Sequence, residues 1–133
     1  MATKTPEVIL VDTNVLIDYL DEVPEIVAEL DAMAEKRLAI SIVTELEVLF
    51  GMFKKEERRT KEFLNKFERI HLDKETGMKA VELMWGYSNR PKLPDCFIAA
   101  TALCNNLRLF TLNRKDFDYI KGLKLYRLRY RKK

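Results

Sequence analysis

"VILVDTNVLIDYL", residues 8–20, carries the reading of the fold. Four apolar residues, Val8 to Val11, run straight into Asp12. Thr13 and Asn14 follow, and then a second apolar stretch with Asp18 inside it. A short apolar run closed by a polar break reads as a buried strand that feeds a helix. The carboxylate at the junction has two readings. Either Asp12 or Asn14 caps the helix by accepting from free backbone N–H groups, or Asp12 is a metal ligand at the mouth of a sheet. The choice depends on whether acids stand at equivalent points elsewhere.

Working outward, the pattern predicts strand 7–11, helix 14–20, helix 24–36, strand 38–41, helix 43–52, helix 55–68, strand 70–72 and helix 74–88. After the break "NRPKLP" come helix 95–106, strand 108–111, a short helix 113–119 and strand 124–127. Pro24 suits a helix start, and Ala80, Val81, Met84 and Trp85 fall at helical spacing. Strands alternating with helices imply an α/β fold with a parallel sheet covered on both faces. In such sheets ligands bind at the carboxyl ends of the strands, where Asp12 falls.

The chain of 133 residues, 47% of them hydrophobic, reads as a single domain over 1–133 with a core of its own. No apolar run approaches the ~20 residues of a membrane span, and "MATKTPE" has no signal-peptide core. Cys96 and Cys104 fall in one predicted helix, separated by roughly 12 Å of rise, too far for a disulfide. Free, buried thiols match a reducing cytoplasm.

Net charge is +3, but its distribution is uneven. The end "KGLKLYRLRYRKK" holds seven basic residues and no acid. With Tyr126 and Tyr130 interleaved, it suits phosphate contact as well as it suits a solvated tail. Residues 54–69 hold seven basic and four acidic residues and read as a charged helix face. Within them, Phe63, Leu64 and Phe67 form a stripe that is either core or a partner groove.

Other junctions do present acids. "AISIVTELEVLFG" repeats the opening layout, with Glu45 and Glu47 about 200° apart on a helix, so one of them can face a given site. "KLPDCFIAATALCNN" opens a helix with Pro94 and Asp95, where the dipole favours an ionised carboxylate. Its Ile98, Ala99, Ala100 and Ala102 are small or apolar enough to lie close on a sheet. "LRLFTLNRKDFDYI" offers Asn113, Asp116 and Asp118 after Thr111. Carboxylates gathered this way repel by about 4 kcal/mol per pair at ~4 Å in a protein-like dielectric. Cations or partial protonation relieve that. Oxygen-only ligands select Mg²⁺ or Mn²⁺ over zinc, and an ion there could activate water for phosphodiester hydrolysis. The single His71 reads as a core or edge residue rather than the base.

In this order, "VDTNVLIDYL", "ISIVTELEVLFG", "LPDCFIAATAL" and "LFTLNRKDF" resemble the PIN domain family, and within it the VapC toxins of type II toxin–antitoxin pairs. The resemblance implies a three-layer α/β/α sandwich around a parallel sheet of about five strands. It implies a Mg²⁺- or Mn²⁺-dependent endoribonuclease with an RNA substrate, cytoplasmic, a homodimer, and inhibited by a small antitoxin protein. Residues 14–68 would carry antitoxin and dimer contacts, and an antitoxin tail would set a basic side chain among the acids. Carried over, Asp12 matches the family's first acid, Glu47 the second and Asp95 the third. Asp116 takes the fourth position, because Asn113 supplies no charge. Asp12, Asp95 and Asp116 would hold the metal, with Asn14, Thr111 and Asn113 supporting the site.

The competing reading is a PIN domain impaired in catalysis that binds RNA or protein, which Asn113 keeps open. A haloacid-dehalogenase-like phosphatase would need an acid where Asn14 stands. A receiver domain would need an acceptor aspartate ending a middle strand, for which "ERIHLD" is a poor substitute.

Overall fold

The computed structural model describes residues 7–129 apart from Ala34. Strand β1 (Val8–Val11) is four aliphatic residues in a row, which tolerate burial on both faces. It lies inside the sheet, paired in parallel with β2 (Arg37–Ser41) on one side and β4 (Arg108–Phe110) on the other. Strand β3 (Glu68–Ile70) adds to the outer side of β2, giving the parallel order β3-β2-β1-β4.

Side chains alternate across the sheet, as the two-residue strand period requires. Ile9, Val11, Ile40 and Phe110 enter one buried cluster, where α1 (Thr13–Leu20), α2 (Pro24–Ala32), α3 (Ile42–Gly51) and α4 (Glu57–Leu64) supply Val15, Leu16, Leu30, Val48 and Leu64. Leu10, Ala39 and Leu109 enter a second cluster, closed by α5 (Lys74–Gly86) and α6 (Leu93–Cys104). The result is the expected α/β/α sandwich. Ile98, Ala99, Ala100 and Ala102 of α6 are buried, as the expected close approach to the sheet requires. No helix among the described residues is long and apolar enough to cross a membrane.

Several boundaries differ from the sequence reading. Helix 24–36 stops at Ala32, where Met33 turns into the core before β2 begins. Helix 55–68 becomes a short 3-10 turn at Lys54–Glu56 and then α4, which ends at Leu64. The chain turns at once, with backbone N–H groups of Lys66 and Phe67 donating to Phe63 and Leu64. That turn tucks Phe67 inward and starts β3 at Glu68 rather than residue 70. The stripe of Phe63, Leu64 and Phe67 is therefore core. Leu93 precedes the expected start of α6 because Pro94, which lacks an N–H, fits its first turn. Helix 113–119 contracts to a 3-10 turn at Arg114–Asp116, after which Phe117 and Ile120 bury.

The expected strand 124–127 reduces to one parallel bridge, Leu109 to Leu125. Tyr126 beside it is not a phosphate contact: it is buried, its ring lies tilted with its centroid 4.9 Å from that of Phe110, and it donates its hydroxyl to Glu29 at 2.6 Å. Tyr130 lies outside the described residues. His71 is exposed just beyond the edge strand β3, not in the core. Cys96 and Cys104 are free, the first buried and the second half-buried.

Candidate active site

Strands β1 and β2 end in the same way. Asp12 follows β1, donates its N–H to the Phe110 carbonyl at 2.8 Å and caps α1, its Oδ1 accepting from the Thr13 N–H at 2.8 Å. Ser41 ends β2 and caps α3, its Oγ accepting from the Val43 N–H at 3.1 Å. The capping reading of Asp12 is thus correct as geometry, yet it leaves the second carboxylate oxygen over. That Oδ2 accepts from the Thr111 hydroxyl at 2.7 Å, just past β4. Asp12 is 4% exposed, and burial pushes its carboxyl up. The bonds from Thr111 and Thr13 oppose the rise, while Glu47 and Asp116 add to it.

Thr44 and Glu47 lie three residues apart on α3, hence on one face. The Thr13 hydroxyl donates to Glu47 Oε1 at 2.7 Å and lies 3.2 Å from the Thr44 hydroxyl. Glu45 points the other way and forms a two-pronged ion pair with Arg69 of the edge strand.

Asp95 sits in the first turn of α6 and is half-buried. The dipole there favours the ionised form, but burial outweighs it and pushes the carboxyl up to about 6. Asp12 and Asp116 push in the same direction, Lys92 opposes, and Glu47 adds a little. Asp95 and Asp116 line one cleft of about 260 Å³ with Arg90, Lys92, Lys115 and Tyr119. The four acids thus share one electrostatic neighbourhood at the carboxyl edge of the sheet.

The supporting residues act chiefly on the loop after β4. Asn14 Oδ1 accepts from the Leu112 N–H at 3.3 Å. Asn113 contributes through its backbone, donating its N–H to the Thr111 hydroxyl at 3.1 Å and accepting from the Asp116 N–H at 3.0 Å, while its side chain is exposed. A larger cavity of about 460 Å³ lies between α2 and the C-terminal segment, but it contains none of the four acids.

Among the described residues, no three Asp, Glu, His or Cys side chains stand close enough to clasp one ion directly. The donor set still fits a hard divalent cation. Mg²⁺ keeps several waters and needs only one or two direct carboxylates, and a cation would offset both the burial and the added repulsion that raise Asp12 and Asp95.

Residues 9–123 match the family model described as the PIN domain. The chain belongs to the PIN domain family. It is 34% identical to Ribonuclease VapC1 of Methanocaldococcus jannaschii, over 92% of this chain and 90% of that protein. It is 37% identical to Ribonuclease VapC10 of Mycobacterium tuberculosis, over 87% of this chain and 90% of that protein. Among solved structures, a toxin-antitoxin complex from Klebsiella pneumoniae superposes with a TM-score of 0.77 at 38% identity, covering 86% of this chain and 94% of that one.

Two hydroxyls of this PIN domain escaped the sequence reading. Thr13 stands inside the quoted "DTN", and Thr44 stands one helical turn before Glu47. The available signal was a hydroxyl residue beside an acid at each strand end. The cationic rim of Arg90, Lys92 and Lys115 was also missed, because "NRPKLP" read as a break between helices.

Proposed function

We propose that this PIN domain is a divalent-metal-dependent endoribonuclease and the toxin of a toxin–antitoxin pair, acting as one domain over residues 1–133. The observation that carries the reading is the convergence of Asp12, Glu47, Asp95 and Asp116 from four separate stretches of chain, with Glu47 and Asp116 each adding to the rise of the Asp12 and Asp95 carboxyls. The named ribonucleases it resembles support the substrate class.

Asp12, Asp95 and Asp116 would hold Mg²⁺ or Mn²⁺ between them, one or two directly and the rest through the waters such an ion keeps, with Glu47 beside them. Such an ion lowers the pKa of water and neutralises charge that develops on the phosphate. The chain's own residues do the positioning. Thr111 and the Thr13 N–H fix both oxygens of Asp12, and the Thr13 hydroxyl fixes Glu47. Asn14 and the Asn113 backbone hold the loop that carries Thr111 and Asp116.

A small antitoxin is the proposed protein partner, in line with the toxin-antitoxin complex that this fold resembles. Residues 14–68 expose Leu46, Phe50 and Phe53, the last two 95% and 70% accessible, an apolar surface suited to the antitoxin or to a second copy. Sedimentation of the chain, alone and with its co-expressed partner, tests the homodimer and the complex together.

The test of the enzyme is RNA cleavage with added Mg²⁺ or Mn²⁺, compared with chelator and with Asp12→Asn. Cleavage that needs the ion and Asp12 is expected. Equal RNA loss in all conditions overturns the reading. RNA retained but uncut would favour the impaired binding module, the reading for which Asn113 speaks.

A further inference from the structure

The connection between α5 and α6 is built with unusual backbone beside the acidic cleft. Ser88 and Asn89 have φ of 53° and 64°, a region that non-glycine residues seldom adopt. Asn89 donates its N–H to the Met84 carbonyl and Arg90 donates to Tyr87, each at 3.0 Å, so the end of α5 is closed rather than frayed. The turn delivers Arg90 over the Tyr119 ring, its guanidinium carbon 3.7 Å from the ring centroid. Tyr119 is held in turn by edge contact with Tyr87 at 5.2 Å, and the Tyr87 hydroxyl accepts from the Lys121 N–H at 2.7 Å.

Arg90, Lys92 and Lys115 are exposed and line the same cleft as Asp95 and Asp116. Among the described residues, none of these three cations forms an ion pair. Elsewhere Arg37, Arg58, Arg69 and Arg108 are all paired with glutamates. A cleft with several carboxylates repels a polyanion, and unpaired cations on its rim reverse that repulsion locally. The stacked guanidinium is the best suited of the three. Its place over Tyr119 limits its freedom, while a guanidinium fork matches a phosphate in two-pronged fashion.

We propose that Arg90, fixed on Tyr119 and flanked by Lys92 and Lys115, grips an RNA phosphate next to the one cleaved. This rests on the ribonuclease reading of the acids and names the residue that seats the substrate there. Arg90 reads backbone charge rather than base identity, so its contribution is the same for every sequence.

The experiment uses the full chain and a labelled single-stranded RNA. Binding is followed by anisotropy in chelator across a salt series, and steady-state cleavage is followed with Mn²⁺. Arg90→Ala is expected to weaken binding about tenfold and to reduce the slope of log affinity against log salt by about 0.7. KM rises while kcat stays within about twofold. Arg90→Lys restores the salt slope but not the full affinity, since ammonium lacks the fork. If Arg90→Ala melts early, Arg90→Lys and the double variant Lys92→Ala/Lys115→Ala carry the comparison.

Unchanged binding and slope in Arg90→Ala overturn the proposal, as does a loss confined to kcat. If native and Arg90→Ala chains cut equally well, only the Arg90 proposal falls and the nuclease stands. If the native chain binds RNA through Arg90 but cuts none with Mn²⁺, the nuclease reading falls and the grip stands. RNA bound by neither chain at any salt overturns the grip.

Discussion

Thr111 donates its hydroxyl to Oδ2 of Asp12 at 2.7 Å, joining residues 99 apart in the chain. The bond ties the loop after β4 to the end of β1 and holds down the pKa of a carboxyl that burial raises. Thr111→Val keeps the shape and removes the donor. The Asp12 carboxyl should rise further, and one buried oxygen loses its partner at a cost of about 1–3 kcal/mol. Groups that orient metal ligands typically matter 10–100-fold, so Mn²⁺ affinity should fall by about that factor. Calorimetric titration of Mn²⁺ into native and variant chains checks it, and equal affinities would sink the orienting role.

Asp95 makes the chain sensitive to pH in a definite direction. Its carboxyl titrates at about 6 when folded, against 3.8 as the ordinary value. Between those limits the folded chain holds the extra proton. Stability is therefore lost as pH rises from about 4 through about 6, and the burial of Asp12 works the same way. In chelator at pH 7, Asp95→Asn should melt above the native chain, and the difference should vanish below pH ~4. Added Mn²⁺ should stabilise the native chain increasingly as pH rises through about 6, and the variant far less. Thermal melts across pH, with and without the ion, report both effects.

The two glutamates of α3 should separate cleanly. Glu45 pairs with Arg69 near the surface, and such a pair contributes about 0–1 kcal/mol. Glu47 receives the Thr13 hydroxyl and acts on both Asp12 and Asp95. Glu45→Gln should leave RNA cleavage within about twofold, whereas Glu47→Gln should lower it by about tenfold or more. Loss of activity in both variants would mean that orientation on α3 is not what distinguishes them.

How far the sequence carried this reading follows from what each residue's job depends on. Asp12, Glu47 and Asp95 were legible because acids at strand-to-helix junctions of a parallel sheet must gather at one edge, whatever the loops do. The sandwich was legible because Val8–Val11 is apolar throughout and helices follow each strand. Thr13 and Thr44 were not, since a threonine carries no mark of the carboxylate or hydroxyl it will meet 31 or 34 residues away. The dipole at Asp95 was readable, but the burial that outweighs it was not. Tyr126 was misread for a related reason. Its basic neighbours suggested solvent, while its partners Phe110 and Glu29 lie far off in sequence.

Glu29 holds the C-terminal segment against α2. Its side chain is 0% exposed, and it accepts from the Tyr126 hydroxyl at 2.6 Å and from the Arg129 N–H at 2.6 Å. Burial and the Glu29 carboxylate push the Tyr126 hydroxyl up to about 12, so it stays a donor throughout the neutral range. Tyr126→Phe removes one donor to a buried charge without opening a cavity. Bonds to charged groups contribute about 1.5–3 kcal/mol, and urea unfolding should register a loss of that order. Limited proteolysis should then cut residues 124–129 sooner than in the native chain, because one of the bonds between Glu29 and that segment is lost. None of the four acids lines the cavity beside this latch, so the Mn²⁺ affinity of Tyr126→Phe should match the native value.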